Sequence, residues 1–469
     1  MDHKLNIVSG FADEEESTAG LPRLHLPPEI WLHICESFDL EKSLLRNLSL
    51  CNRTLRSLAQ PFVFRKVELS SYSTRDPCAF SRLGFSHMTY PQTPSYFASL
   101  MERLEFLCSP RIARAIQSIQ FQSRFSSAVL HSELTINCQT LAVTLFRHIT
   151  SFHNLTSIAA EGFRFTTDHL LQTFQLPKLE SFRFSGVTEI TQRINSSYSC
   201  PKLRELYIRL WNSEDYPWWM CFIGQDTTER LSFFRFNDSS TRILKTISSS
   251  PPLLRLKSLT LGSMATRPLD IVEVLSNCPS LEEFNIGSQA DPSHSERYTR
   301  ELENILSKDI APNLLSISGP LYVMLPLLQH RTIQRFRPGL HNLVDRDDSS
   351  FVLDRLRDNA PHLRSLSLSF MRHDLTQYFS ILSHCREMES FRVICLRHVS
   401  TVEEVCKGLY HADIPMTLKS LELITATRPE DKISSPSPLV EKRLNEEFPN
   451  LSSVWITTPE FQLKWNRVA

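Results

Sequence analysis

One six-residue phrase organises most of the chain: an apolar residue, two free positions, a second apolar residue, a polar position and a third apolar residue. Strong copies are Leu179/Phe182/Phe184, Leu203/Leu206/Ile208, Leu231/Phe234/Phe236, Leu256/Leu259/Leu261 and Leu281/Phe284/Ile286. They continue as Leu314/Ile317, Leu363/Leu366/Leu368, Met388/Phe391/Val393, Leu418/Leu421/Leu423 and Leu451/Val454/Ile456. Weaker copies at Ile116–Phe121, Leu155–Ala160 and Ile333–Phe336 bring the total to thirteen. The closing apolar–polar–apolar part alternates with period two, the signature of a short half-buried strand. Between copies run stretches such as LDIVEVLSNCPS and SYFASLMERLEFLCS, which carry apolar residues at helical spacing. One strand and one helix in about 25 residues cannot bury a core alone, so neighbours must stack. The pattern predicts an α/β solenoid with parallel strands on a concave inner face and helices outside. An all-helical solenoid would need thirteen accidental phrases.

Over roughly residues 67–469 this pattern resembles the leucine-rich repeat family, in an irregular form. Where that family carries Asn or Cys after the strand, residues 187, 211, 264 and 371 are Val, Trp, Met and Met. Without that side-chain ladder the turns are expected to vary, in keeping with repeat spacings between 19 and 33 residues from Leu155 onward. Cys200, Cys278 and Cys385 stand at expected helix ends just before the next phrase, where a small thiol facing the core is the plain reading.

The first 67 residues follow another pattern. Residues 1–23 contain DEEESTAG and few apolar positions, and are expected to be disordered. Leu24–Val67 reads as three short helices. Pro27 and Pro28 with Glu29 open the first, which places Ile30 and Ile34 on one face. Leu44, Leu45, Leu48 and Leu50 lie on the second; Leu55 and Leu58 lie on the third, before Pro61. So small a unit exposes more apolar surface than it can cover, which marks a partner site. The segment resembles an F-box through Leu26-Pro27-x-Glu29-Ile30, Ile34, Leu45 with Leu48, the Cys51-Asn52-Arg53 turn, Leu55, Leu58 and Ala59-x-Pro61 leading to Phe64-Arg65-x-Val67. The resemblance implies docking to a Skp-type adaptor through Leu26, Pro27, Glu29, Ile30, Ile34, Leu45, Leu48, Leu55 and Leu58. Through that adaptor it implies a cullin scaffold, with the repeats (residues 68–469) selecting a protein substrate. The competing readings are a helical cap on the array, and a leucine-rich repeat scaffold or regulator with no ligase role.

Composition narrows the rest. Lys+Arg and Asp+Glu are equal at 51, so nothing favours phosphate neutralisation on nucleic acid. Only 11 glycines occur in 469 residues, which argues against a phosphate-cradling loop. The 11 cysteines form no CxxC pair, and the N-terminus lacks a secretory pattern, so the thiols are read as reduced and the compartment as intracellular. The longest apolar run, Leu321–Leu328, is too short for a membrane span. HExxH, GxSxG and P-loop motifs are absent and the 16 histidines are scattered singly, so no enzyme, metal or cofactor is expected. Trp218–Trp219 is expected to pack within its repeat, and residues 425–438 read as a flexible insertion.

The sheet face that alternates away from the core carries Ser at nine of thirteen positions just before the second apolar residue, including Ser118, Ser181, Ser365 and Ser453. Arg183, Ser185, Glu205, Tyr207, Arg209, Phe233 and Arg235 fall on three consecutive copies. Guanidinium and aromatic groups are favoured where partners bind. An acidic or phosphorylated segment is therefore expected on Arg183, Tyr207, Arg209, Phe233 and Arg235.

Overall fold

The computed structural model describes residues 27–37, 41–70, 94–122, 133–190, 200–210, 217–235, 240–262, 267–287, 295–338, 346–373, 379–398, 407–408, 411, 413–425, 433–434, 438–457 and 462–467. The expected tail at 1–23 and Leu26 lie outside them. The chain divides into two compact units, Met1–Lys66 and Val67–Ala469.

The first unit holds helices α1 (Pro28–Ser37), α2 (Lys42–Cys51) and α3 (Arg53–Arg65). The Cys51-Asn52-Arg53 turn has a direct physical basis. Asn52 takes an extended backbone that stops α2, and its Oδ1 accepts the Leu55 N–H at 2.8 Å to cap α3. The Arg56 Nε–H donates to the Ser49 carbonyl at 3.1 Å, tying α3 back to the end of α2. α3 does not stop at Pro61 but runs through it to Arg65. The three helices close on Cys35, Leu45, Ala59 and Val63, with Leu48, Phe62 and Phe64 packed at the edge.

The second unit is a leucine-rich-repeat solenoid built on one sheet. Its strands are β1 (Lys66–Ser70), β2 (Ser118–Gln122), β3 (Ser157–Thr166), β4 (Ser181–Glu189), β5 (Glu205–Leu210) and β6 (Arg230–Arg235). They continue as β7 (Ser258–Leu261), β8 (Glu283–Ile286), β9 (Ser316–Gly319), β10 (Arg335–Pro338) and β11 (Ser365–His373). The last are β12 (Ser390–His398), β13 (Ser420–Thr425), β14 (Ile433–Ser434), β15 (Ser453–Thr457) and β16 (Gln462–Asn466). Strand order follows chain order up to β13, then runs β15, β16, β14. All thirteen phrases lie on strands, β2 to β13 and β15. Register is kept row by row: Ser365, Ser390, Ser420 and Ser453 pair in turn across four strands. Helices such as Pro268–Ser276 bury a stripe of Ile271, Val274 and Leu275. β16 turns antiparallel onto β15, and the Arg467 guanidinium beyond it donates to the carbonyls of Leu444, Phe448 and Leu451. Of the insertion expected at 425–438, the pair Ile433–Ser434 forms β14.

Aromatic rings gather in the interior behind β2 to β5. Gly162 takes a left-handed backbone at φ 76° and makes a bulge that shifts the register between Glu161 and Phe163. That extra residue returns Phe163 and Phe165 to the buried side, where both are fully enclosed. Phe163 meets Phe121 and Phe184 edge-on at 5.4 and 5.7 Å. His169 sits among these rings, 4.8 Å from Phe146. Its Nδ1 accepts the Thr166 N–H at 3.1 Å, which caps the helix Thr167–Phe174. Burial holds this imidazole down at about 4, with Asp168 pulling partly the other way. Trp218 and Trp219 are buried, as packing within their repeat required. Cys278 and Cys385 are buried too, and desolvation pushes their thiols up to about 12 and about 11. Cys200 is only half-buried.

One repeat is out of the expected phase. In β6 the buried residues are Leu231 and Phe233, whereas Phe234 is half-exposed on the opposite face. The first position of this phrase is Thr228, not Leu231. Thr228 is fully buried because its hydroxyl donates to the Leu203 carbonyl at 2.9 Å and accepts the Gly224 N–H at 3.0 Å. A satisfied hydroxyl can occupy a leucine position.

Candidate functional site

Two surfaces carry the residues singled out above. On the three-helix unit the nine expected adaptor contacts separate by burial. Pro27, Glu29 and Ile30 are exposed, Ile34, Leu48, Leu55 and Leu58 are half-buried, and Leu26 lies outside the described residues. Leu45 is a core residue at 6% exposure, so it holds α2 in place and cannot itself touch a partner. Three further apolar residues stand out: Leu32, Leu44 and Leu50 are 40%, 45% and 72% exposed, beside Ile30 at 46%. The helical wheel shows why. At 100° per residue Leu45 and Leu48 share one stripe of α2, and Leu50 points well away from it. The sequence carried that signal, since four leucines in seven positions of a short helix exceed one stripe.

The second surface is the face of the sheet opposite the buried rows. Its charges are mostly paired across strands: Arg230 with Glu205 at 3.2 Å, Arg335 with Glu283 at 3.0 Å, and Arg392 with Glu422 at 2.9 Å. Arg183 and Arg209 are exposed on it, with Tyr207 half-buried between them in sequence. Register sets Arg183 beside Tyr207, and the Arg183 Cζ lies over the Tyr207 ring, 4.4 Å from its centre. The next aromatic on this face is Phe234, whose ring is 5.2 Å from that of Tyr207. Phe233 is 1% exposed and is therefore withdrawn from the surface. Arg235 pairs in backbone register with Leu210, and its side chain lies outside the described residues. Of the expected five, Arg183, Tyr207 and Arg209 lie on this face, with Phe234 in place of Phe233, and that exchange follows from the Thr228 phase.

Among the described residues no three His, Cys, Asp or Glu side chains converge as a metal site would require. No described helix is long and apolar enough to cross a membrane.

No protein-family model matches the chain, and no curated protein matches its sequence. Similar solved structures include the Rad7 and Elc1 complex in yeast, at 12% identity and a TM-score of 0.41 over 85% of this chain and 87% of that one. An internalin of Listeria monocytogenes aligns at 12% identity and a TM-score of 0.34, over 78% of this chain and 90% of that one. A leucine-rich-repeat protein of Leptospira interrogans aligns at 13% identity and a TM-score of 0.27, over 73% and 91%.

Proposed function

We propose that the chain is a substrate-recognition subunit of a Skp–cullin–F-box ubiquitin ligase. The three-helix unit docks an adaptor, and the repeats hold a protein substrate on the open sheet face. The observation that carries this reading is the apolar surplus of α1 and α2: Ile30, Leu32, Leu44 and Leu50 stay exposed in a unit with four buried core residues among the described ones. Fully burying such a side chain is worth about 1.5–3 kcal/mol; with roughly half of each still in water, covering all four contributes about 3–6 kcal/mol toward holding a partner. The F-box motif gives the partner's class. Its order and spacing fall on these helices, and the Asn52 cap builds the turn that the motif places between α2 and α3.

Purified full-length chain, mixed with a purified Skp-type adaptor, is expected to elute as one complex from a sizing column. Ile30→Ser with Leu50→Ser should abolish co-elution while leaving the unfolding midpoint of the chain in place. Normal co-elution of that folded double variant would remove the ligase assignment and leave a repeat scaffold.

A further inference from the structure

On the exposed face of the sheet, guanidinium groups find carboxylates on neighbouring strands, most often in the same register row, although Arg164 reaches Glu189 two residues off its own row. Arg230 and Glu205 are direct register partners, as are Arg392 and Glu422. Arg335 and Glu283 bridge across Ser316, the register partner of both. Arg183 breaks the rule. Its own row runs Gln120, Ala159, Arg183, Tyr207, Ser232, Thr260 and holds no carboxylate. Glu161 lies two residues further along β3, and no ion pair joins it to Arg183 among the described residues. Arg337 on β10 also lacks a carboxylate among the described residues, but no aromatic ring lies beside it.

What sits beside Arg183 is aromatic. Its guanidinium is held over Tyr207 at 4.4 Å, and Tyr207 contacts Phe234 at 5.2 Å on the next strand. A stacked guanidinium has lost much of its rotamer freedom and keeps its in-plane N–H donors, which match one carboxylate bidentately. The neighbouring rings form an apolar platform with an edge open to solvent, since both residues are only half-buried. From β4 to β6 is two strand spacings, about 10 Å, which an extended peptide covers in about three residues.

We infer that the face formed by β4, β5 and β6 captures an unmodified acidic segment of a partner protein, with an Asp or Glu on Arg183 and a large apolar side chain two or three residues away on Tyr207 and Phe234. This rests on the reading that the repeats select a protein partner, and it specifies that partner's chemistry. The carboxylate supplies from a partner what Arg230, Arg335 and Arg392 draw from their own rows.

The test uses the full-length chain and fluorescent synthetic peptides of Gly and Ser carrying Asp-Gly-Ser-Phe at the centre. Arms replace Asp by Asn or by phosphoserine, and Phe by Ala. The Asp–Phe peptide is expected to bind saturably below ~1 mM, a range suited to one ion pair and one apolar contact. Asp→Asn in the peptide or Arg183→Glu in the protein should each weaken it about tenfold or more. Phe→Ala in the peptide and Tyr207→Ala in the protein should each cost a several-fold loss. Arg183→Glu should gain affinity for the peptide with Lys in place of Asp, a swap that misfolding cannot imitate. Absence of saturable binding, equal binding of the Asn arm, or binding of the phosphoserine arm alone would each overturn the inference. Adaptor co-elution reads α1 and α2 and peptide binding reads β4 to β6, so either can fail while the other stands.

Discussion

Among the described residues of the three-helix unit four are buried and four large apolar ones remain in water, whereas in β3 and β4 alone Phe163, Phe165, Phe182 and Phe184 are wholly enclosed. The outward positions of the array are largely polar, with many Ser and with Arg–Glu pairs across strands. The contrast comes from connectivity. A repeat borrows half its interior from each neighbour, so most of its apolar residues find an inside and the exposed ones, such as Phe106, Leu254, Leu269 and Met416, are scattered along a far longer chain segment. Three short helices have no neighbour of their own kind, and a residue such as Leu50 on the back of α2 has nowhere to go. An isolated apolar excess therefore points to a partner, and an enclosed one points only to packing.

The contrast is broken most forcefully by opening the enclosed interior. Phe165→Ala removes a ring that touches Phe146, His169, Phe182, Phe184 and Trp218. It should destabilise the array by about 3–5 kcal/mol in urea unfolding followed by circular dichroism. A loss below about 1 kcal/mol would mean that this interior is not closed.

Acidification probes the same place with a smaller effect. The His169 pKa is about 4 in the folded chain against an ordinary 6.5. The unfolded chain therefore takes up the proton first as pH falls. Stability is unaffected above about pH 6.5, declines between 6.5 and 4, and no longer changes from this group below 4. The whole span is worth about 3 kcal/mol. In a pH series of urea midpoints, His169→Gln should lower stability at neutral pH and flatten the slope across that window. An unchanged slope would show that carboxylates, not His169, set the acid limb.

The smallest effect belongs to the outer face. Arg335 and Glu283 are both more than a third exposed, so Arg335→Ala should change stability by less than about 1 kcal/mol. A loss as large as that of Phe165→Ala would erase the distinction between the two sides of the sheet.

The strands were readable because period-two alternation survives even in short segments, and their parallel order follows from the stacking of identical units. What escaped notice has identifiable causes. Thr228 stands where the phrase calls for an apolar residue, so the reading frame of β6 was off by three residues and exchanged Phe233 for Phe234. The bulge at Gly162 hides Phe163 and Phe165 from any strict alternation. On α2 the apolar count announced an exposed surface, but the choice of Leu45 over Leu44 and Leu50 needed the position of α3 to settle it. Arg183 over Tyr207 could be inferred only once register had placed the two side by side.

The row running through Ser365, Ser390, Ser420 and Ser453 has a consequence for the history of such a chain. Its members stay aligned although successive ones are 25, 30 and 33 residues apart in the chain. Insertions between strands are therefore nearly silent, whereas one residue gained inside a strand would turn its apolar set outward. Lineages of this protein should accumulate length changes in the connectors and almost none in the strands. The outward residues are free to be rewritten one at a time, so partner choice can drift quickly over an architecture that hardly changes.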